Sequence, residues 1–243
     1  MRIREIKYLK MVKIEFKGLL PMGADYNDVI NRIKEERVRL GLSQKEMARF
    51  VRINQSSFNK TEQGTRRLSY SELKYLCDSP VDALYVITGK KCGERYKEYF
   101  SRYEYEQLVN IMNIVYSVGM GVHDGDVQEY WKTIYINAEV LWCKENKKKS
   151  EINMFFLIRR LRDYRQQQMA SLLGVDVKKL RDLENSRSFP DSELIWNMYR
   201  VFGLSPAFLL KDKNCLVSEV CFMLERMETE IQDKILSVIE VIY

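Results

Sequence analysis

From Asp28 to about Ile87 the apolar residues recur at steps of three and four, in short runs broken by turn residues. That pattern predicts short amphipathic helices. Val29, Ile30 and Ile33, with Arg37 to Leu40, mark a first helix that Gly41 ends. Ser43 then offers an N-cap with Glu46 three residues on, the capping-box spacing, and opens a second helix with Met47, Ala48 and Val51 inward. Asn54 caps a third helix, which runs to Gln63 and stops at Gly64, a residue suited to the left-handed backbone of a helix end. Upstream, Val12, Ile14 and Phe16 alternate with Lys13, Glu15 and Lys17 and predict a short strand, which Pro21 and Gly23 break. Met22 reads as a natural start, so residues 1–21 are read as an added arm or an upstream extension.

The pattern returns 122 residues later: Gln44, Met47, Ala48, Ile53, Phe58 and Glu62 meet Gln166, Met169, Ala170, Val175, Leu180 and Glu184 without a gap. Arg37 likewise meets Arg159, and Ser71-Glu72-Leu73 reappears as Ser192-Glu193-Leu194, the first copy being slightly shorter beyond that point. Matches at core and polar positions alike read as an internal duplication. Each copy leads into a long amphipathic helix, marked by Tyr105, Leu108, Val109, Met112, Val115 and Tyr116 in one case and by Val220, Leu224, Met227, Ile231, Ile235 and Val238 in the other. A further helix with Val127, Tyr130, Trp131, Ile134, Ala138 and Leu141 on one face lies between them, after a loop from Ser117 to Gly125 that carries a solvated His123. The lysines at 147–149 lead into the second copy. The expected architecture is all-α, with sheet limited to the N-terminal strand. It divides into an arm (1–25), a first bundle (26–92), a helical linker region (93–150), a second bundle (151–214) and a C-terminal amphipathic helix (215–243).

Composition narrows the function classes. Apolar residues make 46% of the chain and charged residues 30%, which fits a folded protein and excludes a disordered one. The net charge of +6 suits a polyanionic partner without requiring one. Cys77, Cys92, Cys143, Cys215 and Cys221 form no C-x-x-C pair, and His123 is the one histidine, so reduced buried thiols are expected and no metal or cofactor site. No apolar run approaches the roughly 18–20 residues of a membrane span, and no signal peptide is evident, so a cytoplasmic location is expected. The absence of a phosphate loop, a metal cluster or a nucleophile–base pair argues against an enzyme.

Two short helices joined by three or four residues are the helix-turn-helix signature. Residues 32–88, from Arg-Ile-Lys-Glu-Glu-Arg-Val-Arg-Leu-Gly-Leu-Ser-Gln onward, resemble the DNA-binding domain of lambda-repressor-like phage repressors and Cro proteins, the XRE type. Residues 155–211 resemble a second, more diverged copy. The resemblance implies five-helix bundles whose third helix enters the major groove of double-stranded DNA. It implies that Gln55 reads adenine, while Gln44 bonds phosphate or buttresses its neighbour. Ser56, Ser57, Asn59 and Lys60 fall on the same reading helix, with Arg66 and Arg67 just past it as backbone contacts. It also implies a structural ion pair between Arg37 and Glu62, repeated by Arg159 and Glu184.

The departures are specific. Arg52 stands where the turn glycine is usual, and could add a phosphate contact; the second copy keeps Gly174 there. In the second copy Asp163 replaces the glycine that stops helix one, Arg165 the N-cap serine and Ser186 the glycine after helix three. Its reading set is Gln166, Val177, Lys178, Lys179, Arg181 and Arg187, a cationic surface for phosphate or guanine with Val177 near a thymine methyl. The function expected is a bacterial or phage transcription regulator, a repressor, with homodimerisation open. The aromatic residues at 94–142, Trp131 and Trp142 among them, read as core, a pocket for a small effector being the alternative. A second class of function is an interaction protein of antitoxin or anti-repressor type, which a large apolar patch on the central or C-terminal helices would favour.

Overall fold

In a computed structural model residues 25–122, 136–139 and 153–243 are described, and among them the chain forms helices and turns with no strand. The expected N-terminal strand, His123, Trp131, Trp142, Cys143 and the lysines at 147–149 lie outside these residues. The first unit comprises α1 (Asn27–Arg39), α2 (Gln44–Phe50), α3 (Gln55–Glu62), α4 (Tyr70–Cys77) and α5 (Ala83–Thr88). Four of its five helices, α2 to α5, start where side chains satisfy the first backbone N–H groups. Ser43 and Glu46 close a full capping box on α2, Ser69 and Glu72 do the same on α4, and the Asn54 side chain accepts from Ser57 N on α3. At the other end of the bundle Arg32 caps α5, donating to Val86 O at 2.8 Å and Ile87 O at 3.1 Å. Val29, Ile33, Met47, Phe58, Leu73 and Ile87 fill the core between them.

After α6 (Lys97–Ser101) and α7 (Tyr105–Val122), the chain builds a second unit from α8 (Met154–Leu161), α9 (Gln166–Leu173), α10 (Val177–Glu184), α11 (Ser192–Phe202) and α12 (Pro206–Leu210). α13 (Lys213–Leu224) and α14 (Thr229–Ile242) complete the fold. The bounds of α10 are those of α3 moved by 122, and Asp176 accepts from Lys179 N as Asn54 does from Ser57 N. Ser69 and Asp191, the N-caps of α4 and α11, also differ by 122, so the offset carries through the start of that helix. Capping therefore aligns Tyr70, rather than Ser71, with Ser192.

Apart from Gly203 (68°), the left-handed residues show the same correspondence. Positive φ occurs at Gly41 (66°), Arg52 (59°), Gly64 (75°) and Gly89 (77°), and 122 residues on at Asp163 (55°), Gly174 (68°), Ser186 (55°) and Lys211 (49°). In every pair one member is glycine. An L side chain in this conformation costs about 1–2 kcal/mol, so Ser186→Gly is expected to raise the stability by about 1 kcal/mol in urea unfolding. The reverse change at the matching site, Gly64→Ala, is expected to destabilise. It adds that strain to a Cβ only 2.8 Å from Ile30 Cδ1.

One expectation fails here. The span from Ser117 is not a loop: α7 continues through Gly119 and Gly121 to Val122. Leu108, Val109, Met112, Val115 and Tyr116 are all buried, and α7 packs along α13, so tertiary burial overrides the low helix propensity of two glycines. Tyr96 and Phe100 are buried in the same core, which makes these aromatic residues structural.

Candidate nucleic-acid interface

α3 carries the polar surface on which the functional reading rests. Phe58, Thr61 and Glu62 are buried and fasten the helix to its unit, while Gln55, Ser56 and Lys60 are exposed. Asn59 and Ser57 are half-buried beside them. Gln55 and Asn59 share one ridge and Ser56 and Lys60 the next, as i,i+4 spacing requires.

Three side chains hold α3 in place. Arg37 Nε donates to Glu62 Oε1 at 2.7 Å, and its Nη1 donates to Leu42 O at 3.0 Å in the turn before α2. Gln44 Nε2, at the start of α2, donates to Glu62 Oε2 at 2.6 Å. The Glu62 carboxylate thus ties α1, α2 and α3 at one point, and its side chain is only 4% exposed. Gln44 serves as a buttress, its amide committed to Glu62 and within 3.5 Å of Asn59 Oδ1. The second unit repeats this arrangement. Arg159 bonds Glu184 through Nε and Nη2, its Nη1 lies 3.4 Å from Tyr164 O, and Gln166 Nε2 donates to Glu184 Oε2 at 2.8 Å.

The cations beyond α3, expected as backbone contacts, each make an ion pair within the chain. Arg66 Nη2 bonds Glu72 Oε1 at 2.5 Å. Arg67 bonds Glu193 at 2.7 Å and Gly64 O at 2.6 Å, with its guanidinium 4.2 Å from the Tyr26 ring. The Glu193 carboxylate holds the Arg67 pKa above its ordinary value, and burial raises that of Tyr26 to about 12. Both arginines therefore brace the fold, and Arg67 does so across the two units. Arg52 stacks 4.1 Å from the Tyr75 ring, which rationalises an arginine in a left-handed turn position.

α10 presents a different face. Lys178, Arg181 and Arg187 are exposed, whereas Val177 is half-buried against the core and Lys179 Nζ lies 3.4 Å from Phe189 O. Arg165 occupies the α9 N-cap without a side-chain cap, and its N–H is taken by Gln168 Oε1 at 2.8 Å. The start of α10 is thus cationic where that of α3 is rich in amides and hydroxyls.

Cys77, Cys92, Cys215 and Cys221 are buried thiols. Cys77 Sγ and Cys215 Sγ lie 3.4 Å apart, and that contact, with burial, pushes the Cys215 thiol well above its ordinary value. Asp212 beside them caps α13 and lies 3.5 Å from Lys74 Nζ. Among the described residues no helix is long and apolar enough to cross a membrane. No curated protein and no solved structure matches the chain with significance. Residues 31–79, which take in most of α1, all of α2 to α4 and the turns between them, match the model of a helix-turn-helix domain family of the XRE/lambda-repressor type.

Proposed function

We propose that the protein is a sequence-specific DNA-binding transcription regulator, a repressor of the bacterial or phage kind, whose reading helix is α3. The observation that carries this reading is the exposed set of Gln55, Ser56 and Lys60 at the surface of a helix that Arg37 and Gln44 fix through the buried Glu62 carboxylate. Base contacts need such preorganisation, because a bidentate amide–adenine pair tolerates little angular error. Gln55 and Asn59 are assigned to base edges and Lys60 to phosphate. The second unit is read as a diverged second copy of the same domain, on the strength of its matching caps, triad and left-handed positions. There Lys178, Arg181 and Arg187 contact phosphate or guanine. The protein acts as a non-enzymatic regulator in the cytoplasm.

The alternative, an interaction protein, draws on Val238, Val241 and Ile242, which are 48%, 87% and 54% exposed on the last turns of α14. Titrating the chain with a duplex recovered by selection, and with a scrambled one, over a salt series separates the two. The DNA reading requires a preference for the selected duplex and a steep salt dependence. Lys60→Ala should weaken both duplexes alike and lower the salt slope by about one. Equal and weak binding of both duplexes by the unaltered chain favours the interaction protein.

A further inference from the structure

The two units meet along a seam in which several helix pairings are exchanged images of one another, while α7 and α5 also pack on α13 without a comparable counterpart among the described residues. α4 packs against α12 and α5 against α11, and under the offset of 122 each pairing is the image of the other. α5 on α12 is its own image. So is α6 on α13, because residues 97–101 move onto 219–223 within α13, and so is α7 on α14. Such reciprocity is the property of an isologous two-fold interface, which ordinarily joins two separate chains.

The seam also reaches the reading helices. The loop after α3 is bonded to the start of α11: Ser192 N donates to Leu68 O at 2.9 Å, and Leu68 N to Ser192 Oγ at 3.1 Å. Tyr26 OH shares the same hydroxyl at 2.5 Å. The loop after α10 is held in turn by the first unit, where Phe189 stacks on Tyr70 with ring centroids 4.8 Å apart. Arg67 and Phe189 are equivalent under the offset, so the two loops are braced at corresponding points by unlike chemistry. Deeper in the seam Lys90 bonds Glu219 at 2.6 Å, and the Glu219 side chain is 1% exposed. Sliding the units would strand that buried carboxylate away from its cation.

We infer, building on the DNA reading above, that one chain is an internal dimer whose α3 and α10 form a fixed pair reading one bipartite duplex of two unlike half-sites. A homodimer presents identical readers and so demands a palindrome. Covalent pairing removes that demand, and the readers here have diverged: Gln55, Ser56 and Asn59 on α3 against Val177, Lys178 and Arg181 on α10. One half-site is selected by amide and hydroxyl groups, the other by cations. No dimerisation equilibrium precedes binding, and the spacing is set by the seam, at one helical turn of roughly 34–36 Å for paired readers of this kind.

The test selects duplexes of about four helical turns from a random pool with the full chain, then measures mass and footprint of the complex. The inference requires one chain per duplex, with two dissimilar protected segments one turn apart. Inserting about five base pairs between them, half a turn, should lower affinity at least roughly tenfold, since the second reader then faces the wrong side. Lys178→Ala/Arg181→Ala, both exposed, should erase the preference in one half only. Two chains on two like halves, or an insertion without effect, overturn the internal dimer while leaving a DNA-binding protein. Recovery of no sequence preference overturns the DNA reading and the inference with it.

Discussion

Arg37→Ala is expected to lower the folding stability by about 3 kcal/mol, the lower end of the range for breaking a buried ion pair. The lower end applies because the Arg37 side chain keeps 20% of its exposure, whereas Glu62 has 4% and is the charge left behind. Gln44 still donates to Glu62, but an amide does not neutralise a carboxylate. Three helix junctions loosen at once, so the loss should appear in the urea midpoint and also as weaker DNA binding at temperatures where the variant is still folded. The double variant Arg37→Met/Glu62→Gln should recover most of the stability, since Met keeps the packing of the arginine stem and Gln removes the stranded charge. Arg159→Ala should behave alike in the second unit, where the side chains are 13% and 4% exposed. A loss under 1 kcal/mol at both sites would show that the triads do not fix the helices.

Phe100→Ala should cost about 3–5 kcal/mol, the sum of lost burial and the cavity left behind. Phe100 is fully buried on α6, among Tyr96, Tyr99 and Tyr103, at ring-centroid distances of 6.4, 5.0 and 6.5 Å. α6 packs on α13, so the cavity opens between the units and not inside either bundle. If both units share one core, the variant should still melt in a single transition, shifted as a whole, because neither half retains the surface it needs alone. Calorimetry of the variant and the parent chain measures this. Two resolved transitions, with only one of them shifted, would mean that the halves fold independently.

The sequence made legible whatever is local or repeated. Ser43 with Glu46, Asn54, and the glycines at 41 and 64 act within one or two turns of their own position, so capping and steric rules identify them directly. The ion pairs Arg37–Glu62 and Arg159–Glu184 were legible through the family resemblance, which implied them. What was not legible depends on partners far along the chain. The ion pair of Arg67 was hidden because its partner Glu193 lies 126 residues away. Arg66 was closer to readable, since Glu72 sits six residues on. The seam left no mark of its own in the pattern, because apolar residues that face the other unit recur at the same helical spacing as those that face their own. Gly119 and Gly121 misled by propensity, which the packing of α7 as a whole on α13 outweighs.

The central claim, that the exposed start of α3 identifies bases, is tested most directly by repeating the duplex selection with Gln55→Ala beside the parent chain. The account expects the parent to recover a defined motif. The variant should recover the same motif with one adenine position relaxed, at a cost of about 1–3 kcal/mol for the preferred base and no change elsewhere. An unchanged motif from the variant, or none from the parent, would contradict it.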